Sequence, residues 1–274
     1  MTRERVNLSE LSRFLEHPQA IPSEGVFTGF LGPDELSEWL VRFAERRMLA
    51  GVFGGYRMPR RVMLRILPPG KAPIVASRLR EEVPRLLGEW DELAETFPAR
   101  WLRMSVPAES PAADQARKVG SWVRMLASQG VHPGWLGDFL AGSSGAFLLV
   151  DSRRRMDVRD AFDRLTIEMS EVAGKLDGGD FARQATVFLR SPRLDALVGK
   201  AFGMGREEAK KAVSKGFVAV NLLTVTNAST ALSAGDLVDF ELGGRALVQA
   251  ALLRQGKSRY RVLLTVLENA HLGW

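Results

Sequence analysis

The sequence predicts an α+β, multidomain protein that ends in a helix pair followed by a small antiparallel sheet. Three observations support this fold class. The chain has 274 residues, more than one domain of ordinary size. Helical and strand-like patterns occur in mixed order along its first two thirds. The last third changes character, with two short helical patterns before four short strand patterns. We therefore predict an N-terminal α/β domain (1–98), a middle α/β domain (99–183) and a C-terminal domain (184–274).

The N-terminal domain is predicted from one helix and one strand pair. Pro33 lies near the expected helix start, with acidic residues in the first turn. Apolar residues then recur at helical spacing. Two apolar segments, 48–53 and 62–67, flank the turn at Gly54 and Gly55.

The middle domain follows a segment of loop composition at 107–114. Patterns in its sequence predict a helix over 114–129, a short helix over 135–141, a strand over 146–150 and a helix over 158–172.

The C-terminal domain is predicted to contain helices over 193–202 and 206–215, with Gly216 ending the second helix. Strands are expected over 217–221, 237–242, 246–253 and 258–267. In the second of these, apolar and acidic residues alternate, which indicates a half-buried antiparallel strand.

Charge is distributed unevenly along the chain. The net charge of +6 divides into 0 for residues 1–98, +1 for 99–183 and +5 for 184–274. An excess of positive charge in the last third favours a polyanionic partner. The absence of cysteine excludes disulfides, cysteine-ligated zinc and thiolate catalysis. No apolar segment follows the N-terminus and no apolar run reaches membrane-spanning length, so we expect a cytoplasmic protein that does not bind membranes.

The helix predicted over 206–215 contains four of the basic residues of the last third. Ala209 and Val213 belong to its narrow apolar stripe, and like charges recur at i,i+4 outside that stripe. An anion that neutralises this face would relieve the repulsion, although an ordinary solvated basic helix remains an alternative. With the preceding segment, the candidate phosphate contacts are Arg190, Arg193, Lys200, Arg206, Lys210, Lys211 and Lys215.

Several segments match a known pattern in order and spacing. They are Ser191 to Leu197, Gly205 to Val213, Gly216 to Asn221 and Ala234 to Val238, and together they resemble the S-four-type RNA-binding domain. This resemblance adds Asn221 to the candidate RNA-binding residues. The chain departs from the family pattern in having Gly205 where serine is usual. It also has Leu222 where glycine is usual, so we expect a turn of different shape there.

The whole chain resembles the YlmH-like family. Gly54-Gly55-Tyr56-Arg57 with Arg60-Arg61 is similar to its first domain, and Leu136-Gly137-Asp138-Phe139 to its middle domain. The basic residues usual before this Gly-Asp are replaced by His132-Pro133-Gly134-Trp135, which weakens an RNA role for that loop. The resemblance implies binding to ribosomal RNA or tRNA on the large ribosomal subunit, with ribosome-associated quality control as the setting.

A second RNA contact is predicted in the N-terminal domain. Tyr56 could stack a base, with Arg57, Arg60 and Arg61 beside it. The alternative is a surface hairpin with ordinary arginines.

Catalysis finds little support in the sequence. The three histidines are far apart, and no nucleophile, dinucleotide or nucleoside-triphosphate motif occurs. Arg153-Arg154-Arg155 is interpreted as a solvated basic loop. We expect a monomeric, non-enzymatic RNA-binding protein with no cofactor. The alternatives are an RNA-modifying enzyme related to pseudouridine synthases and a cell-division-associated interaction protein.

Overall fold

The computed structural model describes residues 8–105, 122–142, 145–172, 176, 181–253 and 259–268. The chain forms two compact units. The described residues up to Leu176 belong to the N-terminal unit, and those from Phe181 onwards belong to the C-terminal unit. Both units combine helices with antiparallel sheets, so the predicted α+β class is confirmed.

The helices are α1 (Leu8–Glu16), α2 (Pro33–Glu45), α3 (Leu79–Gly88), α4 (Trp90–Ala94), α5 (Trp122–Ser128), α6 (Arg155–Arg164), α7 (Leu194–Ala201) and α8 (Arg206–Ser214). The strands of the N-terminal unit are β1 (Val26–Phe27), β2 (Leu49–Phe53), β3 (Met63–Ile66), β4 (Ala99–Ser105), β5 (Leu136–Gly142), β6 (Gly145–Asp151) and β7 (Glu168–Glu171). Those of the C-terminal unit are β8 (Arg183–Leu189), β9 (Val218–Val220), β10 (Leu223–Thr224), β11 (Leu237–Phe240), β12 (Gly244–Leu253) and β13 (Tyr260–Glu268).

The N-terminal unit contains two antiparallel sheets, one of strand order β1-β3-β2 and one of order β5-β6-β4-β7. The predicted helix start at Pro33 is confirmed by α2, and the predicted strand pair is confirmed by β2 and β3. Segments 1–98 and 99–183, which the sequence assigned to separate domains, contribute these sheets to the same compact unit.

Two predicted helices in the middle segment are wrong in whole or in part. Residues 136–142 form β5, which pairs with β6, where a helix over 135–141 was expected. The helix expected over 158–172 ends at Arg164, since Thr166 adopts a left-handed backbone conformation with φ of 55°. The chain then continues into β7. The first half of the helix expected over 114–129 lies outside the described residues, and most of its second half forms α5.

The C-terminal unit is one six-stranded antiparallel sheet of order β10-β9-β11-β12-β13-β8, packed against α7 and α8. Leu197 and Val198 of α7 and Val213 of α8 share a core with sheet residues such as Val238 and Leu264. The predicted helix pair and the four predicted strands are confirmed, while β8 and β10 were not predicted. The strand expected to be half-buried is β11, and all of its residues, including Asp239, are buried. The apolar faces of the two helices therefore pack on the sheet, and the cations of the helices lie on their other faces.

No helix within the described ranges combines the length and the apolar character that crossing a membrane requires.

Candidate nucleic-acid interface

A buried carboxylate joins the beginnings of the two helices of the C-terminal unit. Asp195, in the first turn of α7, is 2% exposed. Its Oδ1 and Oδ2 accept hydrogen bonds from Nε and Nη2 of Arg193 at 3.1 and 3.0 Å. Nε and Nη2 of Arg206, at the start of α8, both lie 3.4 Å from Oδ2. Asp195 therefore holds two arginines side by side while their side chains remain partly exposed, at 37% and 59%.

Asp195 is charged in this position despite its burial. Burial by itself opposes ionisation, but the hydrogen bond from Arg193, the positive charges of Arg193 and Arg206 and the backbone N–H of Ala196 outweigh it and lower the pKa of Asp195. The carboxylate thus stays ionised at neutral pH and keeps both arginines oriented.

A groove of about 800 Å³ opens beside this ion-pair cluster. Its lining includes the end of β8, the exposed side of α7, the turn between α7 and α8, and Arg259 before β13. Arg190, Lys200 and Arg206, all predicted phosphate contacts, line it together with Arg259. The fold thus brings together cations that are up to 69 residues apart in the sequence, from Arg190 to Arg259.

The remaining predicted cations of the helix pair lie along α8 and at its end. Lys210, Lys211 and Lys215 are exposed and do not line the groove. Lys210 follows Arg206 by one helical turn, so the two side chains share one side of the helix. We call the following set the helix-pair surface: Arg190, Arg193, Lys200, Arg206, Lys210, Lys211, Lys215 and Arg259.

Among the described residues of this unit, a larger share of the acidic than of the basic residues is buried. Asp195, Asp236 and Asp239 are all buried. Among the described residues from Phe181 onwards, nine lysines and arginines are exposed, against four acidic residues. The exposed cations therefore outnumber the exposed acids by about two to one, which favours an anionic ligand.

Asn221 does not belong to the interface, contrary to the prediction. It is fully buried, its Nδ2 donates to Oδ1 of Asp236 at 2.8 Å, and its Oδ1 accepts from the backbone N–H of Leu237 at 2.9 Å. Asn221 and Leu222 form the two-residue turn between β9 and β10, with φ of 55° and 67°. Asn221 is thus a structural residue, and Leu222 occupies a left-handed conformation that favours glycine.

The second predicted RNA contact is also largely corrected. Tyr56, Arg60 and Arg61 are 1%, 7% and 9% exposed, so Tyr56 offers no ring face to a base. Only Arg57 of this predicted group is exposed. The physical reason is a buried carboxylate, Asp138, that draws the segment inwards.

Asp138 lies on β5 and is fully buried. Its Oδ2 accepts from the Tyr56 hydroxyl and from the backbone N–H of Arg60, both at 2.8 Å, and its Oδ1 accepts from the backbone N–H of Arg61 at 3.1 Å. The Arg61 side chain in turn donates to the backbone carbonyls of Leu136, Phe30 and Pro133 at 2.9 to 3.0 Å. The two motifs singled out in the sequence, residues 54–61 and 136–139, therefore meet in one buried hydrogen-bond network.

Burial of Arg61 has an electrostatic consequence. Desolvation lowers the pKa of Arg61 to about 10, although the charges of Asp138 and Glu35 act in the opposite direction. A guanidinium with this pKa remains protonated at neutral pH and fastens the network rather than contacting a ligand.

The other candidate sites take structural positions. Arg153 forms an ion pair with buried Asp151 and donates to the carbonyl of Thr28 at 2.9 Å, so its charge is neutralised locally. The segment is not the solvated loop that was predicted, because Arg153 is largely buried and Arg155 begins α6. His132 Nδ1 accepts from the backbone N–H of Gly134 at 3.0 Å. Among the residues that the structure describes, no three His, Cys, Asp or Glu side chains are placed to hold a metal ion together.

Phe188 and Arg259 are among the groove residues that sequence analysis did not predict as site residues. Phe188 lies on β8 and is 45% exposed. A signal for this strand was present, because Ala185 and Val187 alternate with Gln184 and Thr186. Arg259 follows a turn and carries no local signal of its position beside α7.

No protein-family model matches this chain, and no curated protein matches it. Among solved structures, one described as the crystal structure of pseudouridylate synthase is 32% identical over 19% of this chain and 23% of that chain, with a TM-score of 0.19. Another, described as cell division protein ylmH from Streptococcus pneumoniae, is 11% identical over 61% of this chain and 88% of that chain, with a TM-score of 0.38. Both TM-scores are below 0.5, and the chain spans less than a quarter of the synthase.

Proposed function

We propose that this chain is a non-catalytic RNA-binding protein and that its helix-pair surface contacts RNA phosphates. The observation that carries the proposal is the cluster around Asp195. A buried carboxylate that fixes two partly exposed arginines, of which Arg206 lines a cationic groove, organises donors for an anion before it binds. Such preorganisation lowers the entropy lost when phosphates are bound.

The charges along α8 support the same function. Arg206 and Lys210, and likewise Lys211 and Lys215, are like charges one helical turn apart, an arrangement that costs roughly 0.2–0.5 kcal/mol per pair. Phosphates placed along the helix would turn this repulsion into attraction. A continuous polyanion fits this arrangement better than a single small anion, since the cations extend from the groove to the end of the helix.

The RNA is proposed to be ribosomal RNA or tRNA on the large ribosomal subunit, with ribosome-associated quality control as the pathway. This finer proposal rests on the resemblance of the chain to the YlmH-like family. It includes a cytoplasmic location and a monomeric state. Crosslinking in cells, followed by sequencing of the RNA recovered with the protein, tests it directly. Reads spread evenly over cellular RNA would contradict the ribosomal assignment.

The test of RNA binding itself compares two charge reversals. Lys210→Glu changes the helix-pair surface, whereas Arg159→Glu changes an exposed helical arginine of the N-terminal unit. We expect the first variant to recover several-fold less crosslinked RNA and the second to match the unchanged protein. Equal recovery from both variants would contradict the proposed interface.

The absence of catalysis is tested separately. The protein is incubated with ribosomal RNA, and the RNA is then digested and analysed by mass spectrometry. We expect no protein-dependent pseudouridine or methyl group. Either mark would favour an RNA-modifying enzyme instead.

A further inference from the structure

The groove of the C-terminal unit contains an exposed aromatic side chain among its cations. Phe188 lines it with Arg190, Lys200, Arg206 and Arg259. At 45% exposure, Phe188 keeps much of its apolar surface in contact with water. An aromatic side chain surrounded by exposed cations is the combination with which proteins bind the bases and phosphates of single-stranded nucleic acid.

Phe188 lies outside the hydrophobic core of the C-terminal unit. Neighbouring Val187 and Leu189 pack towards that core, and alternation along β8 places Phe188 on the other side of the strand. Gln184 and Thr186 lie at equivalent positions of the strand, and both are exposed. Phe188 is therefore an aromatic residue on a side of the strand that otherwise carries polar side chains.

We propose that this groove holds one unpaired nucleotide of the bound RNA, with its base stacked on Phe188 and its flanking phosphates contacted by the groove cations. The inference rests on the proposed function and narrows its ligand to RNA with a bulge, loop or single-stranded end. A volume of about 800 Å³ lies within the usual range of sites for small organic groups.

The electrostatics of the groove agree with this ligand. Asp195 is an acid that lines the groove, but its charge is matched by Arg193 and Arg206. Gly203 and Gly205 leave the rim open, since a side-chain carbon built at either position would meet nothing within 4 Å. A nucleotide can therefore approach the turn between α7 and α8 without steric obstruction or uncompensated negative charge.

The experiment uses the full chain and two RNA hairpins, one fully paired and one with a single 2-aminopurine bulge. We expect the bulged hairpin to bind about tenfold more tightly, the effect of stacking one base on an aromatic side chain. We also expect its fluorescence to be quenched on binding. Phe188→Leu should abolish both the preference and the quenching. Phe188→Trp should retain both, because its ring also stacks.

Phe217→Leu is the matched control, since Phe217 is a similarly exposed aromatic residue of the same unit, at 40%, that does not line the groove. It should retain the preference and the quenching. Equal binding of the two hairpins by the unchanged protein, or quenching that survives Phe188→Leu, would overturn the inference and leave the proposed function standing. Failure of the unchanged protein to bind either hairpin would overturn the proposed function.

A free nucleotide has the same base and phosphate groups as an unpaired nucleotide of RNA, so the groove could bind either. Adenosine monophosphate is therefore titrated against the bulged complex. Displacement only at concentrations far above that of the RNA supports an RNA site. Displacement at comparable concentrations would identify a free-nucleotide site and overturn the inference.

Discussion

The salt dependence of RNA binding can be worked out from the helix-pair surface. It contains eight cations, of which Arg193 and Arg206 share the charge of Asp195. We take about six phosphates as contacted, so the slope of log affinity against log salt is about −4 to −5, using 0.7–0.9 per phosphate. Raising the salt concentration from about 50 to 200 mM should therefore weaken binding by roughly 300- to 2,000-fold.

Neutralising single cations makes this prediction specific. Lys210→Gln and Lys211→Gln should each reduce the slope by about 0.7–0.9, and the double variant by about 1.6. Arg159→Gln, with the same change of charge on the N-terminal unit, should leave the slope unchanged. Filter binding of one RNA hairpin at five salt concentrations measures the slopes of the unchanged protein and of all four variants. A wild-type slope shallower than about −1, or a double variant with the wild-type slope, would refute the assignment of phosphate contacts to this surface.

Three further predictions concern the buried groups that hold the structure. Asp195→Asn should lower the free energy of unfolding by about 1–2 kcal/mol at pH 7. Because the folded-state pKa of Asp195 is lowered, this difference in unfolding free energy is present above the ordinary pKa of about 4 and disappears as the pH falls through the folded-state value. Urea unfolding of both proteins between pH 7 and pH 2 measures it, and a difference that stays constant over this range would contradict the prediction. Tyr56→Phe should lower the unfolding free energy of the N-terminal unit by about 2 kcal/mol, since it removes a hydrogen bond to buried Asp138. The same variant should leave RNA affinity unchanged in filter binding. A weaker affinity would indicate that Tyr56 contacts RNA. Leu222→Gly should be more stable than Leu222→Ala by about 1 kcal/mol, because alanine is strained in the left-handed backbone conformation and glycine is not. Chemical denaturation compares the two variants. A more stable alanine variant would indicate that the turn changes its backbone conformation.

Short-range signals explain why the helix pair was predictable. Glycines at 203, 205 and 216 separate the helices from each other and from the strands, and the apolar stripe of α8 is visible in five residues. Two of these signals are directly realised, with Gly205 at the N-cap of α8 and Gly216 in a left-handed conformation after its end. Lys200, Arg206 and Lys210 are exposed on the two helices as the periodicity predicts, whereas Arg190 and Arg193, which were assigned to the first helix, precede α7.

The wrong helix over 135–141 has an identifiable physical cause. The pairing of β5 with β6 shifts register between Leu136 and Phe139, and the additional residue of this β-bulge breaks the two-residue period of a strand. Apolar residues consequently recur at a spacing of three, as on a helix. A strand that contains a bulge presents a helical pattern, and only the long-range pairing with β6 distinguishes the two.

The partners of Asp138 were beyond any local pattern, because Tyr56 lies 82 residues away in the sequence. A clue did exist, since one acid within an apolar run has to be paired if it is buried. Tyr56, Arg60 and Arg61 were predicted to contact RNA because they can donate hydrogen bonds. The same donors can satisfy a buried carboxylate. Because Asp138 holds the segment rigidly from within, Arg57 is presented on a fixed loop as its exposed cation. Any contribution of this loop to RNA recognition therefore depends on the charge of Arg57. The buried network around Asp138 would contribute by stabilising the loop and not by contacting RNA.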